Sequence, residues 1–141
     1  MMAQSKELPI KLIDNKIVHK NPQAYVTASL ALRCIVESWR QSLFSFEWLD
    51  ENGQVRANKD LEDTQKSKYD SIYAAYKTGI PMERPVLGVG VMENIEIGSR
   101  KDVLLTLYSL GIEKLDVHIP KSCICDFEKF MLDCPDEVFK I

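Results

Sequence analysis

The residues best placed to do chemistry are Gly98, Ser99, Arg100 and Lys101. A glycine closes an apolar strand, and a hydroxyl, a guanidinium and an ammonium then open what reads as a helix. Such a turn presents free backbone N–H groups at the positive end of the helix dipole. With two cations and a hydroxyl beside them, these groups form an anion site, and phosphate is the anion such sites hold. A structural reading accounts for the same residues: Ser99 with Asp102 three positions on is a capping-box arrangement, leaving Arg100 and Lys101 solvated. The turn is not a Walker loop, because the G-x-x-x-x-G-K-[ST] spacing is missing. Gly88-x-Gly90 lacks the third glycine of a dinucleotide fingerprint.

The other candidates are weaker. Cys123-x-Cys125, with His118 upstream and Cys134 downstream, has ligand residue types but not the usual C-x2–4-C zinc spacing. On a helix, residues two apart point about 200° from each other. Four cysteines (Cys34, Cys123, Cys125 and Cys134) are too sparse for a disulfide framework in a chain of 141 residues, so reduced free thiols are expected of all four, with Cys123 the most reactive because it falls in a first helical turn. His19 and His118 sit on expected strands without a serine or cysteine partner and read as structural or surface histidines. The acid groups Asp60/Glu62/Asp63 and Glu93/Glu96 are explained by helix solvation and a turn. No catalytic set stands out, so these residues leave open whether the chain is an enzyme.

The elements that must hold the Gly98 turn lie between Arg84 and Ile119. Val86, Leu87, Val89 and Val91 read as a strand, with Gly88 and Gly90 on its other face where a neighbour can approach. Met92–Asn94 turns the chain and Ile95 and Ile97 continue the apolar face to Gly98. A helix from Ser99 to Leu110, apolar on two stripes, is expected to be buried on two sides and to end at Gly111. Leu115, Val117 and Ile119 then alternate as a strand.

Upstream, Asp14-Asn15 between two short apolar runs predicts a small hairpin within Leu8–Lys20. Asn21-Pro22 predicts a helix start, with Val26, Leu30, Ile35 and Trp39 carrying the helix to about Trp39 or Gln41. Phe44, Phe46 and Trp48 alternate as an aromatic strand before the Asn52-Gly53 turn. A second helix spans Ala57–Gly79, with Leu61, Tyr69, Ile72, Tyr73 and Tyr76 on its apolar face and Gly79 as its C-cap. Ser122 is expected to N-cap a last helix that stops before Pro135.

Together these give an α/β (α+β) single domain over 1–141, a mixed β-sheet with flanking helices. Within it, 1–56 forms the N-terminal portion, 57–121 the core, and 122–141 the last helix and tail. Apolar residues make up 45% and charged residues 28% of the 141, an ordinary globular balance that sets disorder aside. The net charge of −3 argues against a non-specific nucleic-acid binder, though not against a local basic patch. Met1–Lys6 is polar with no apolar run after it, so no secretory leader and a cytoplasmic location are expected.

The order of glycine, strand and helix resembles the ParB/sulfiredoxin superfamily over about residues 69–119. The resemblance rests on Gly79, Pro85-Val86-Leu87, Ile95-Glu96-Ile97-Gly98-Ser99-Arg100-Lys101, Leu110-Gly111 and Leu115-Asp116-Val117-His118-Ile119. ParB partition proteins carry Gly-Glu-Arg-Arg at the turn and sulfiredoxins Gly-Cys-His-Arg. Ser99 stands at the sulfiredoxin cysteine, so cysteine-sulfinate reduction is not expected. The resemblance implies a ParB/sulfiredoxin-like core and a nucleotide- or nucleic-acid-phosphate pocket at Gly98, Ser99, Arg100 and Lys101. It implies a plasmid, phage or other mobile-element setting, and NTPase or nuclease activity if there is any. A bound nucleotide would bring Mg2+, since hydrolysis needs a metal or a general base that the sequence does not name. The rival expectation is a non-enzymatic interaction module, immunity- or conjugation-inhibitor-like, using an exposed Phe44/Phe46/Trp48 or Tyr69/Tyr73/Tyr76 face.

Overall fold

Seven residues with no charge, Tyr25–Ala31, form strand β2 and pair antiparallel along their whole length with β6, Lys114–Pro120. This β2 is where a helix was expected. Val26 and Leu30 sit four apart, which suits a helix face and one strand face equally, and the seven-residue ladder decides for the strand. Only Leu32–Trp39 is helical, as α2, and Pro22–Ala24 is a single 3-10 turn.

The computed structural model describes residues 10–43, 45–132 and 141. Ahead of β2 lie β1 (Leu12–Ile13) and α1 (Lys16–Lys20). After α2 come α3 (Asp63–Thr78), β3 (Met82–Glu83), β4 (Val86–Val89) and β5 (Ile95–Ser99). The helix α4 (Lys101–Ser109) leads into β6, and α5 (Ile124–Leu132) follows it. The result is an α/β single domain with a mixed four-stranded sheet, order β2-β6-β4-β5, and flanking helices. The β4–β6 pair is parallel and the outer pairs antiparallel. A separate two-stranded parallel pair joins β1 to β3.

The expected hairpin at Asp14-Asn15 is therefore absent: Asn15 caps α1, its side chain accepting from the Ile17 N–H, and β1 pairs with β3 instead. The expected aromatic strand is also absent. Ser45–Glu47 is a 3-10 turn, Trp48 is buried, Phe46 is exposed, and Phe44 lies outside the described residues. The Asn52-Gly53 turn does form, closing a single bridge between Leu49 and Val55. Gly53 holds φ +78° with the Arg40 guanidinium packed where a Cβ would go. The strand expected through Val91 ends at Val89, and Val91 is exposed in the hairpin turn. The second helix starts at Asp63 rather than Ala57 and ends, as read, on left-handed Gly79. At the far end a 3-10 turn, Lys121–Cys123, precedes α5, and the expected stop before Pro135 lies outside the described residues.

Leu30, Leu87, Ile95, Ile97, Leu115, Val117 and Ile119 turn one sheet face into the core. Across that core α4 packs against α2 and α3, with Val103 through Leu107 all buried, as its two apolar stripes require. Residues that alternate with the core set, Thr27, Asp116 and His118, face the other way. Cys34 on α2 is buried and disulfide-bonded, against the reduced state expected of every cysteine, while Cys123 and Cys125 are free. Among the described residues no helix is long and apolar enough to cross a membrane.

Candidate functional site

One residue too many sets up the turn. Val86 stands opposite Ser99 but Leu87 stands opposite Ile97, so Gly98 is left unpaired as a β-bulge. Ladder partners share a sheet face, so the bulge turns Ser99 to the face that carries Val86 and, through the parallel pair, His118. Without the extra residue Ser99 would follow the core alternation of Ile95 and Ile97.

On that face sits Asn15, fully buried, which ties four segments together. Its side-chain Nδ2 donates to the Arg84 carbonyl at 2.9 Å and to Ser99 Oγ at 3.1 Å. Its Oδ1 accepts from the Ile17 N–H at 3.0 Å, and its own backbone N–H donates to His118 Nε2 at 3.2 Å. Nε2 is thus an acceptor, so the imidazole proton sits on Nδ1, 3.3 Å from Thr27 Oγ1. Burial pushes the His118 imidazole below its ordinary pKa; Asp14 opposes this, and Arg84 and His19 add to it. His118 is thus a satisfied structural histidine, and His19 is a surface one, in the last turn of α1 and not on the strand expected for it. Arg84 pairs with Asp14 at 2.6 Å, which fastens the β1–α1 connection to the start of β4.

Arg100 is the N-cap of α4 in a left-handed conformation, φ 59° and ψ 42°. Its guanidinium reaches Asp102 at 3.4 Å and Glu83 at 3.7 Å. Among the described residues no side chain caps α4, so the capping box of Ser99 and Asp102 does not form: Ser99 belongs to β5 and its hydroxyl answers Asn15. Asp102 instead accepts from the Val103 N–H at 2.9 Å, leaving the Lys101 and Asp102 amides as the open first donors of the helix. Lys101 lays its ammonium 5.4 Å from the Trp39 ring centre, a cation–π contact.

Those amides border a hollow of about 430 Å3, lined by Gly98, Ser99, Arg100 and Lys101 together with Trp48, Gln65 and Lys68. That is within the size range of small-ligand sites. The structure thus brings all four sequence-predicted residues to one wall, with Ser99 and Arg100 held by protein partners and Lys101 over a ring. Sequence reading missed Lys68, Gln65 and Asn15. Lys68 lies outside the apolar face read for that helix, and nothing in the spacing joins Asn15 to residues more than eighty positions away. Glu47 and Asp102 also line the hollow and offset part of its positive charge.

A non-glycine residue in the left-handed region is strained by about 1–3 kcal/mol. Arg100→Gly removes that strain, and its two ion pairs are partly exposed and worth little each. Urea unfolding is expected to show the variant at least as stable as the parent chain, by up to about 1 kcal/mol. A clear loss of stability would mean that the Glu83 and Asp102 pairs hold the turn.

No family model, no curated protein and no solved structure matches this chain.

Proposed function

We propose that the chain is a small nucleotide- or nucleic-acid-phosphate-binding module similar to ParB/sulfiredoxin domains, from a mobile element. The observation that carries this reading is the uncapped start of α4 opening into a hollow of nucleotide-accepting size. Lys68 from α3 faces the same space, so a second cation comes from an element remote in sequence. Arg100 Nε is buried without an acceptor among the described residues, and a phosphate oxygen beside it would supply one. In this reading the Lys101 and Asp102 amides take the phosphate oxygens while Lys101 and Lys68 neutralise charge. Hydrolysis, NTPase or nuclease, would enter with a nucleotide carrying Mg2+. A cytoplasmic setting is part of the reading, and the Cys34 disulfide weighs against it, since such bonds persist mainly where thiols are not kept reduced.

Titration calorimetry with CTP, ATP, GTP and a single-stranded oligonucleotide, with and without Mg2+, tests it. Binding is expected for at least one ligand, weakened about tenfold or more in Lys68→Ala/Lys101→Ala, the loss expected when hydrogen bonds to charged groups go. Heat from none of them, or unchanged affinity in the double variant, removes the proposal.

A second reading, the interaction or inhibitor module, is favoured by the exposure of Leu43 (77%) and Phe46 (64%) on one connection. Trp48 and Tyr76 are core residues, so neither aromatic set forms the continuous exposed face this reading expected. Loss of a partner on Phe46→Ser with nucleotide binding intact would favour it.

A further inference from the structure

Two carboxylates share the wall of the hollow with its cations, and they differ in what they already hold. Asp102 is committed to the protein: Oδ1 accepts from the Val103 N–H at 2.9 Å and Oδ2 from the Arg100 guanidinium at 3.4 Å. Glu47 reaches the hollow from a separate element, the 3-10 turn Ser45–Glu47. That turn is fastened on both sides. Ser45 Oγ donates to the Arg40 and Ser42 carbonyls at 3.1 Å each, and Arg56 Nε donates to the Phe46 carbonyl at 2.9 Å. Trp48, next in the chain, is buried in the core. The backbone that carries the Glu47 carboxylate is therefore positioned before any ligand arrives, which lowers the cost of using it.

A carboxylate only accepts hydrogen bonds, so toward a phosphate it offers repulsion and no bond. A ligand with its phosphates on the α4 amides, Lys101 and Lys68 gains from Glu47 only through a part that carries donors. The size of the hollow agrees: about 430 Å3 is the volume of a small-molecule site, more than a phosphate group fills. Gln65 and Lys68, three apart on α3, share one face of that helix. Gln65 Oε1 accepts from Thr64 Oγ1 at 2.8 Å, which leaves the Nε2 donors to the hollow. The α3 wall thus serves ligand oxygens, while Glu47 serves ligand hydroxyls. In a nucleotide the sugar next to the phosphates carries two adjacent hydroxyls, 2′ and 3′, which match the two oxygens of one carboxylate. An acidic side chain on the ribose is also how dinucleotide sites of a different fold hold that sugar.

We infer that Glu47 reads the ribose diol of a free ribonucleotide whose phosphates lie at the start of α4. This rests on the phosphate reading of the hollow and narrows its ligand from two classes to one. Inside a nucleic-acid strand the 3′ oxygen is part of a phosphodiester, so no diol is left to donate twice. DNA lacks the 2′ hydroxyl as well. A polyphosphate without a sugar has nothing to give Glu47 and meets only its charge. Glu47 is then a specificity residue: it adds affinity for the ribonucleotide and subtracts it from every other phosphate ligand.

Titration calorimetry with ATP, CTP and GTP, their 2′-deoxy forms and inorganic tripolyphosphate, on the parent chain, Glu47→Ala and Glu47→Gln, tests this. The parent chain is expected to bind at least one ribonucleotide about tenfold or more tighter than its 2′-deoxy form, the loss that goes with a hydrogen bond to a charged group. Glu47→Ala is expected to erase that ratio and Glu47→Gln to reduce it, with circular dichroism unchanged. Tripolyphosphate should move the opposite way, binding both variants at least as tightly as the parent chain, because a negative charge has left the wall. A merely structural Glu47 would weaken all ligands together, and that result overturns the inference. So does equal affinity for ribose and deoxyribose forms in the parent chain, or a ribose preference that survives both substitutions; in either case binding itself leaves the phosphate reading standing. If both variants misfold, the ratio of ribose to deoxyribose affinity in the parent chain decides. Heat from no ligand, tripolyphosphate included, removes the phosphate reading and this inference with it.

Discussion

Asn15→Ala lowers the unfolding free energy by about 3 kcal/mol, measured by urea denaturation. The side chain holds three bonds, and its loss strands the Arg84 carbonyl, Ser99 Oγ and the Ile17 N–H. Losing the cap of α1 costs about 1 kcal/mol by itself. Each buried partner left unmet adds about 1 kcal/mol more, because water cannot replace the amide in a site this closed. The backbone N–H to His118 survives the substitution, so the imidazole is not the reason for the loss. Asn15→Asp keeps the acceptor for Ile17 but loses both donors and sets a carboxylate against the Arg84 carbonyl, so it should recover only the cap. Asn21→Ala is the control: Asn21 stands at a helix start without a side-chain cap bond and should shift stability by less than about 0.5 kcal/mol. A loss below about 1 kcal/mol in Asn15→Ala would show that the three bonds are replaced by neighbours.

The same residue shows where sequence reading stops. Gly79, Gly111, the strand at Leu115–Ile119 and the buried helix before it were legible because each has a local cause: a left-handed cap, a period of two, or two apolar stripes. Asn15 was read as a turn residue by its local propensity, and it does turn the chain, but into a helix, not a hairpin. What fixes it is a bond to a hydroxyl that a bulge eighty positions later has turned over. The Gly98 turn was legible as a place and not as a geometry. Glycine, hydroxyl and two cations mark a strand-to-helix turn, but only the unpaired Gly98 decides that Ser99 faces Asn15 instead of capping α4. Likewise β2 was lost to a helix because Val26 and Leu30 satisfy both periods, and only its distant partner β6 separates them.

Stability should fall as the pH drops below about 6.5, the unperturbed histidine value, and the fall should disappear in His118→Gln. The sign follows from the direction of the shift. Burial lowers the folded-state pKa of His118, so between that value and the unfolded value the unfolded chain binds more protons than the folded one. Stability is then full above the unfolded pKa, is lost as the pH falls through it, and stops falling once the folded pKa is passed. The geometry gives the cause: Nε2 accepts the Asn15 N–H and Nδ1 meets Thr27, so a second proton places two donors against each other. Asp14, 3.8 Å from Nε2, favours the charge, while Arg84 and His19 oppose it. Asp14→Asn should therefore make the loss begin at the same pH and run further, by removing the attraction that now limits the shift. Carboxylate protonation adds its own acid loss, so the comparison is the difference between the parent chain and His118→Gln from about pH 7.5 to about pH 5. Parallel curves would mean that His118 titrates as it does in the unfolded chain. A fall centred near the histidine value in the parent chain alone would tie acid sensitivity to the Asn15 cluster, and through Ser99 to the turn that opens α4.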